Sequence, residues 1–120
     1  MIGAVDDRNR ALLDVEVRAT PSSAKTAVTA WIDTAFDGHL VFSTSLIDEL
    51  GLESLVETEA ILADGQKVTL ETFLCYLDWF GSTVPLQLIA NDGKLPLLGT
   101  ALLVNHVLLI DYAKKRLTLD

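Results

Sequence analysis

Short strand-like segments, separated by turn residues, follow one another along nearly the whole chain. In residues 11–18 apolar and polar side chains alternate, which is the pattern of a strand with one buried face. A turn containing proline and serine at residues 21–23 separates this segment from a second predicted strand at residues 25–33. This succession of strands predicts an all-β fold.

The strands are interrupted by one predicted helix and by a second, shorter one. Residues 43–51 begin with hydroxyl side chains and end with glycine, and their leucine and isoleucine residues follow helical spacing. Residues 97–103 are typical of a strand end that runs into a short helix. The remaining strands are predicted at residues 39–42, 58–62, 66–70, 71–79, 83–90, 107–111 and 116–119, with a hairpin turn at residues 63–65 and a loop at residues 91–94.

Length and composition limit the class of protein. The 120 residues suit one domain, spanning residues 1–120, and a hydrophobic content of 50% is that of a well-packed globular protein. The formal net charge of −8 argues against nucleic acid as a partner, because phosphate binding requires clustered basic residues. The longest apolar stretch, residues 95–104, is interrupted and too short to cross a membrane. Cys75 is the single cysteine, which excludes an internal disulfide, and without a secretion signal the expected location is the cytoplasm.

Residues 30–38 end an apolar strand in an acidic turn, and they carry the clearest chemical signal in the chain. Asp33 stands at the end of the predicted strand, and a carboxylate delivered by a rigid strand is a catalytic candidate. Asp33 and Thr34 also suit an ordinary strand end in which the carboxylate accepts a backbone hydrogen bond, an Asx turn. Trp31, two residues earlier, is interpreted as part of the core rather than as a substrate contact.

Three segments resemble, in the same order, motifs of the retropepsin-like aspartic proteases, single-domain proteins found in retroviruses and as free-standing proteins in microbes. Asp33-Thr34-Ala35-Phe36, preceded by an apolar strand, is similar to the catalytic Asp-Thr-Gly signature. Ala63-Asp64-Gly65-Gln66 resembles the tip of the family's flap hairpin. Leu97-Leu98-Gly99 resembles the second, apolar-Gly motif, which leads into a C-terminal helix. With the strands on either side, the resemblance extends over nearly the whole chain.

The resemblance implies a closed retropepsin-like barrel with one or two short helices, and hydrolysis of peptide or protein substrates by water. One chain holds one signature, so the implied enzyme is a homodimer that brings Asp33 of both subunits together. The two carboxylates would share one proton, one acting as base and the other as acid. Thr34 would hydrogen-bond beneath this pair, the flap would close over an extended peptide, and Trp79 or the C-terminal strand would contact the partner. The resemblance implies no cofactor or metal, and His39 and His106 have no further ligands at suitable spacing.

Ala35 departs from the family's signature, which has glycine at this position. That glycine belongs to a tight turn whose backbone N–H groups point at the carboxylates, and if the turn requires φ above zero, alanine there costs about 1 kcal/mol. Two alternatives therefore accompany an aspartic endopeptidase: a catalytically silent dimer that binds extended peptides, and a structural dimerisation domain. Phe36 also replaces the small residue that is common in viral members.

Overall fold

A computed structural model describes residues 1–61, 63–93 and 95–120, and most of this backbone is β-strand. The predicted all-β class is therefore confirmed. Leu62 and Lys94, which ended a predicted strand and a predicted loop, lie outside the described residues. The strands are β1 (Ile2–Val5), β2 (Ala11–Arg18), β3 (Thr26–Ile32), β4 (Leu40–Ser43), β5 (Glu53–Ile61), β6 (Lys67–Trp79), β7 (Ser82–Asn91), β8 (Leu97–Leu98), β9 (Leu108–Asp111) and β10 (Arg116–Leu119).

The strands form one hydrogen-bonded sheet in the order β5-β6-β7-β4-β8-β3-β2-β1-β10-β9. Most neighbours are antiparallel, whereas β8 runs parallel to β3 and β4 runs parallel to β7. β6 makes a further antiparallel pairing with β2, a strand far from it in this order, which aligns Val17 with Leu77. Because β6 also keeps β5 and β7 as neighbours, the sheet must bend so that β2 and β6 meet.

The core lies on the inner face of this bent sheet. On β2 the alternation is the predicted one, since Leu13, Val15 and Val17 are buried while Asp14 is exposed. On β3 the buried positions are Val28, Ala30 and Ile32, and the residues between them are exposed. Full burial of a leucine or valine side chain contributes about 1.5–3 kcal/mol, so these two strands hold much of the fold together.

The predicted helix is α1 (Thr44–Leu50), and its ends are set by two flanking residues. The Ser43 hydroxyl accepts a hydrogen bond from the backbone N–H of Leu46 at 3.2 Å, and Gly51 adopts a left-handed φ of 67° that ends the helix. Ile47 anchors α1 in the core. A 3₁₀ turn at Thr100–Leu102 is the predicted second helix. Neither is long and apolar enough to cross a membrane, and the same holds for every helix in the described part of the chain.

Three strands differ from the sequence prediction. β1 was not predicted, because four residues with a glycine carry no alternation, and its pairings with β10 and β2 arise only in the folded sheet. The two strands predicted at residues 66–70 and 71–79 are one 13-residue strand, β6, which has β5 beside its first half and β7 beside its second. β5 begins at Glu53, earlier than predicted, because its pairing with β6 continues through an irregularity between Ser54 and Val56.

An ion pair accompanies the pairing of β2 with β6. The Arg18 guanidinium donates from Nε and Nη2 to the two carboxylate oxygens of Asp78, at 3.1 and 3.0 Å, and from Nη1 to the Ser23 carbonyl at 2.9 Å. The Thr83 hydroxyl also donates to Asp78, at 3.0 Å. The hydrogen bond from Arg18, followed by that from Thr83, holds the pKa of Asp78 below its ordinary value of 3.8.

We expect Asp78→Asn to lower the free energy of unfolding at neutral pH. A carboxylate whose pKa is lowered in the folded state stabilises the fold above its ordinary pKa, and that contribution is lost as the pH falls through the folded value. Thermal unfolding of both proteins should therefore show a difference at pH 7 that closes in acid below pH 3.8. Glu49→Gln, at an exposed position on α1, is the control, and an equal effect of both substitutions would contradict a specific role for the Asp78 carboxylate.

Candidate functional site

Asp33 lies directly after β3, at the point where three strands meet. β8 sits between β3 and β4, so Leu98 is paired with Ile32 on one side and with Leu40 on the other. The backbone N–H of Asp33 continues this ladder by donating to the Leu98 carbonyl at 2.9 Å. The position of Asp33 is therefore fixed by the Leu97-Leu98-Gly99 segment as well as by its own strand.

Asp33 is a half-buried residue, and its carboxylate uses one of its oxygens within the chain. Its Oδ1 accepts a hydrogen bond from the backbone N–H of Ala35 at 3.0 Å, which is the geometry of an Asx turn. Its Oδ2 has no hydrogen-bond partner among the described residues. The Asx turn and a chemical role are thus compatible, because the turn orients the carboxylate and leaves one oxygen available.

A cavity of about 380 Å³ opens beside this carboxylate. Apolar side chains from β3 and β8 supply most of its wall, and Asp33 is its one charged lining residue. A mostly apolar cavity with a single polar group is typical of a small-molecule or peptide side-chain site. The lining residues are Trp31, Ile32, Asp33, Thr34, Ala35 and Leu97.

The rest of the loop is bound to the segment that follows β8. The Phe36 carbonyl accepts two hydrogen bonds from Thr100, from the backbone N–H at 2.8 Å and from the hydroxyl at 3.3 Å. The N–H of Gly99 donates to the His39 carbonyl at 2.8 Å. Two of the three sequence motifs, the one around Asp33 and the one ending at Gly99, are therefore in direct contact.

The third motif occupies the end of the hairpin made by β5 and β6. These strands pair in antiparallel register as far as Ile61 and Lys67. At the turn, the Asp64 carboxylate accepts the backbone N–H of Gln66 at 3.0 Å, and Gly65 has a φ of 83°. Ala63-Asp64-Gly65-Gln66 is exposed and does not line the cavity at Asp33 within the single chain. Its role as a flap stays a prediction.

Comparisons with known proteins find this architecture in solved structures. A retropepsin-like aspartic protease from Rickettsia conorii shares 18% identity, with a TM-score of 0.71 over 99% of this chain and 88% of its own. EIAV protease, solved in complex with the inhibitor HBY-793, shares 16% identity, with a TM-score of 0.57 over 82% of this chain and 88% of its own. The chain has a retropepsin-like fold. A third match is the retroviral protease-like domain of Ddi1 from Leishmania major, with 16% identity and a TM-score of 0.52 over 91% of this chain and 88% of that domain. No protein-family model and no curated protein sequence matches the chain.

Ala35 occupies its place in the retropepsin-like fold without the strain considered from the sequence. The described non-glycine residues with φ above zero are Asn9, Phe80, Asn105 and Lys115, so Ala35 has a negative φ. Its backbone N–H still points at the carboxylate of Asp33, which is what the turn requires. The condition under which alanine would cost about 1 kcal/mol is therefore not met.

The interpretation of Trp31 as a core residue was wrong. Its side chain is 39% exposed and lines the cavity, because β3 directs Val28, Ala30 and Ile32 inward and the intervening residues outward. The alternation along this strand already indicated that Trp31 lies on the outer face, whereas its large apolar ring favoured a position in the core. Arg10 was also missed: its guanidinium carbon lies 5.8 Å from the centre of the Trp31 ring, and the two residues line a second cavity of about 200 Å³.

Metal-binding clusters and the thiol of Cys75 are the other side-chain groups that could have a chemical role. Among the described residues, no group of three or more His, Cys, Asp or Glu side chains could hold a metal ion. Cys75 is fully buried on β6, and burial raises the pKa of its thiol to about 12, so the thiol is protonated at neutral pH. Asp33 is consequently the group in the described cavity with the greatest potential for chemistry.

We expect Ala35→Gly to destabilise the protein by about 0.4–1 kcal/mol, because glycine adds freedom to the unfolded chain where the folded backbone does not need it. Denaturant unfolding measures this change. Gly81→Ala is the comparison at a position that requires glycine. The φ of Gly81 is 83°, so alanine should destabilise the protein there. A stabilised Ala35→Gly protein would show that alanine strains the turn after all.

Proposed function

We propose that the chain is an aspartic endopeptidase that works as a homodimer. The observation that supports this most directly is the carboxylate of the half-buried residue Asp33, which has one oxygen without a hydrogen-bond partner among the described residues and belongs to the lining of a mostly apolar cavity at the end of β3. The fold also supports the proposal, because solved structures that share it include proteins named aspartic proteases. We include in the proposal a single domain over residues 1–120 and a barrel closed by the pairing of β2 with β6.

A single chain supplies one such carboxylate, and the chemistry needs two. In a two-fold dimer the Asp33 side chains of both subunits would face each other, and two close carboxylates cannot both ionise, so they would share one proton. The ionised carboxylate would accept a proton from the attacking water, while the protonated one would donate to the carbonyl oxygen of the peptide. The hydrogen bond from the N–H of Ala35 would hold each carboxylate in orientation.

Thr34 and the flap complete the proposed site. Thr34 is exposed in the single chain, and its hydroxyl has no hydrogen-bond partner among the described residues. We assign it a hydrogen bond across the dimer beneath the two carboxylates. The exposed Ala63-Asp64-Gly65-Gln66 tip would close over an extended peptide and exclude water from the reaction.

The dimer contact is best assigned to β9. This strand ends the sheet order and pairs only with β10 in the described chain, so its outer edge offers unpaired backbone groups. Leu109 on β9 and Val107 just before it are 55% and 69% exposed, unusually high for apolar residues beside a free edge. Trp79 is the weaker candidate, because it already packs against Phe80 and His106 within the chain.

The alternative of a silent peptide-binding dimer was motivated by Ala35. Ala35 has a negative φ and keeps its hydrogen bond to Asp33, so it no longer argues against activity. Endopeptidase activity is therefore the function that we propose. The endopeptidase and the silent dimer are both proposed to bind an extended peptide, and neither hypothesis involves a metal or cofactor. We also retain a cytoplasmic location, which suits a protein whose one cysteine is a buried free thiol.

Cleavage of an unfolded protein substrate between roughly pH 4 and 7 should be detected with this chain and abolished by Asp33→Asn, because the substitution removes the shared proton and the base. The reaction is followed by the release of new amino termini at concentrations where the protein is dimeric. Asp37→Asn is the control, since Asp37 lies in the same loop but does not line the cavity. Binding of the substrate without cleavage by a proven dimer would favour the silent module.

Leu109→Lys should shift the protein from dimer to monomer in sedimentation velocity, because a charge beside the free edge of β9 opposes pairing with a second copy. Leu55→Lys is the matched control: Leu55 is an exposed leucine on β5, the strand at the other end of the sheet order. If Leu55→Lys dissociates the dimer and Leu109→Lys does not, the contact lies at the other end of the sheet.

A further inference from the structure

The ring of Phe36 is enclosed by two glycines, Gly38 in its own loop and Gly99 after β8. A Cβ atom added to Gly38 would lie 2.4 Å from Phe36 Cζ and 2.7 Å from Cε1. A Cβ atom added to Gly99 would lie 2.5 Å from Phe36 Cδ2. Real Cβ atoms do not approach other carbons this closely, so the ring occupies the space that a side chain at either position would need. We refer to Phe36, Gly38 and Gly99 as the glycine clamp.

The backbone of Phe36 links the clamp to Asp33. The N–H of Phe36 donates to the Asp33 carbonyl at 3.2 Å, and its carbonyl accepts both hydrogen bonds from Thr100. The ring does not line the cavity that contains the Asp33 carboxylate. Within that cavity, Phe36 can therefore affect a bound peptide through the position of the loop and not by direct contact.

We propose that Phe36 is a positioning residue: its ring, seated between Gly38 and Gly99, holds the loop so that the Asp33 carboxylate points into the cavity. Its effect on hydrolysis rests on the proposed function, whereas its effect on the Asp33 carboxylate does not. The arrangement requires the absence of side chains at positions 38 and 99, because the Phe36 ring occupies the space that they would need.

The two glycines differ in a way that makes the clamp testable. The three atoms nearest to a Cβ at Gly38 all belong to the Phe36 ring, and no positive φ constrains Gly38. A Cβ at Gly99 would also lie 2.2 Å from the carbonyl oxygen of Gly38 and 2.8 Å from that of Phe36. Removal of the ring should therefore make room for alanine at position 38 and not at position 99.

Thermal unfolding of a double-mutant cycle tests the clamp itself. Gly38→Ala should lower Tm markedly in the parent chain and have little effect when combined with Phe36→Ala, whereas Gly99→Ala should lower Tm in both backgrounds. If Gly38→Ala lowers Tm equally with and without the ring, the clamp does not exist as described and the proposal is overturned.

The titration of the Asp33 carboxylate tests positioning without any need for activity. The amide of Ala35 donates to Asp33 Oδ1, so its NMR shift should follow the protonation of that carboxylate. Phe36→Leu should alter the titration midpoint or abolish the shift. Phe42→Leu makes the same chemical change at a fully buried phenylalanine on β4, and it should leave the titration unchanged. Equal titration curves for Phe36→Leu and the parent chain would overturn the proposal.

Kinetics separates this proposal from the proposed function. With a cleaving parent protein, Phe36→Leu should reduce kcat by about 10- to 100-fold with little change in KM, as expected when a reacting group is displaced. An unchanged kcat would overturn the positioning role while leaving the protease intact. A parent dimer that does not cleave, with the Ala35 amide titration altered by Phe36→Leu as expected, would reject the protease and support the clamp.

Discussion

The pairing of β8 with β3 and β4 is the constraint on which the candidate site depends. β8 has two residues, yet it is hydrogen-bonded on both sides, and Leu98 within it is fully buried. A strand this short gains its order from its neighbours rather than from its own sequence. The Leu98 carbonyl accepts a hydrogen bond from the N–H of Asp33, so the position of β8 between its two neighbours fixes the position of Asp33.

The loop after β3 depends on packing between positions that are distant in sequence. Ala35 and Phe36 are larger than the residues that the retropepsin signature leads one to expect, and the absence of side chains at Gly38 and Gly99 leaves the space that the Phe36 ring occupies. The backbone hydrogen bonds from Thr100 and from the N–H of Ala35 are present despite these changes. The geometry around Asp33 is therefore a property of the whole packed unit, and a single position in the signature is a poor measure of it.

Local patterns in the sequence were sufficient to predict most helices and strands and the acidic turn after β3. The alternation of β2, the caps of α1 and the Asp64-Gly65 turn each depend on neighbouring residues, and each was predicted correctly. β1 and the continuous β6 were not predictable in this way, because their extent is fixed by strands elsewhere in the chain. Asp33 could be singled out by its place after a strand, whereas the cavity wall at Trp31 and the contact of Phe36 with Gly99 required the fold.

The place of β1 between β2 and β10 has a consequence for how the chain acquires its structure. The N-terminal amine donates to the carbonyl of Leu119, a separation of 118 residues, and the Leu119 N–H donates back to the Met1 carbonyl. β1 must therefore wait for β10, which lies near the other end of the described sequence, before its second edge is paired. Folding rates fall as contacting residues become more distant in sequence, and an unpaired strand is prone to pair with other chains in the meantime. Pairing of β1 with β10 should therefore be a late step in folding, and until it is complete the open edge of β1 is exposed to pairing with other chains.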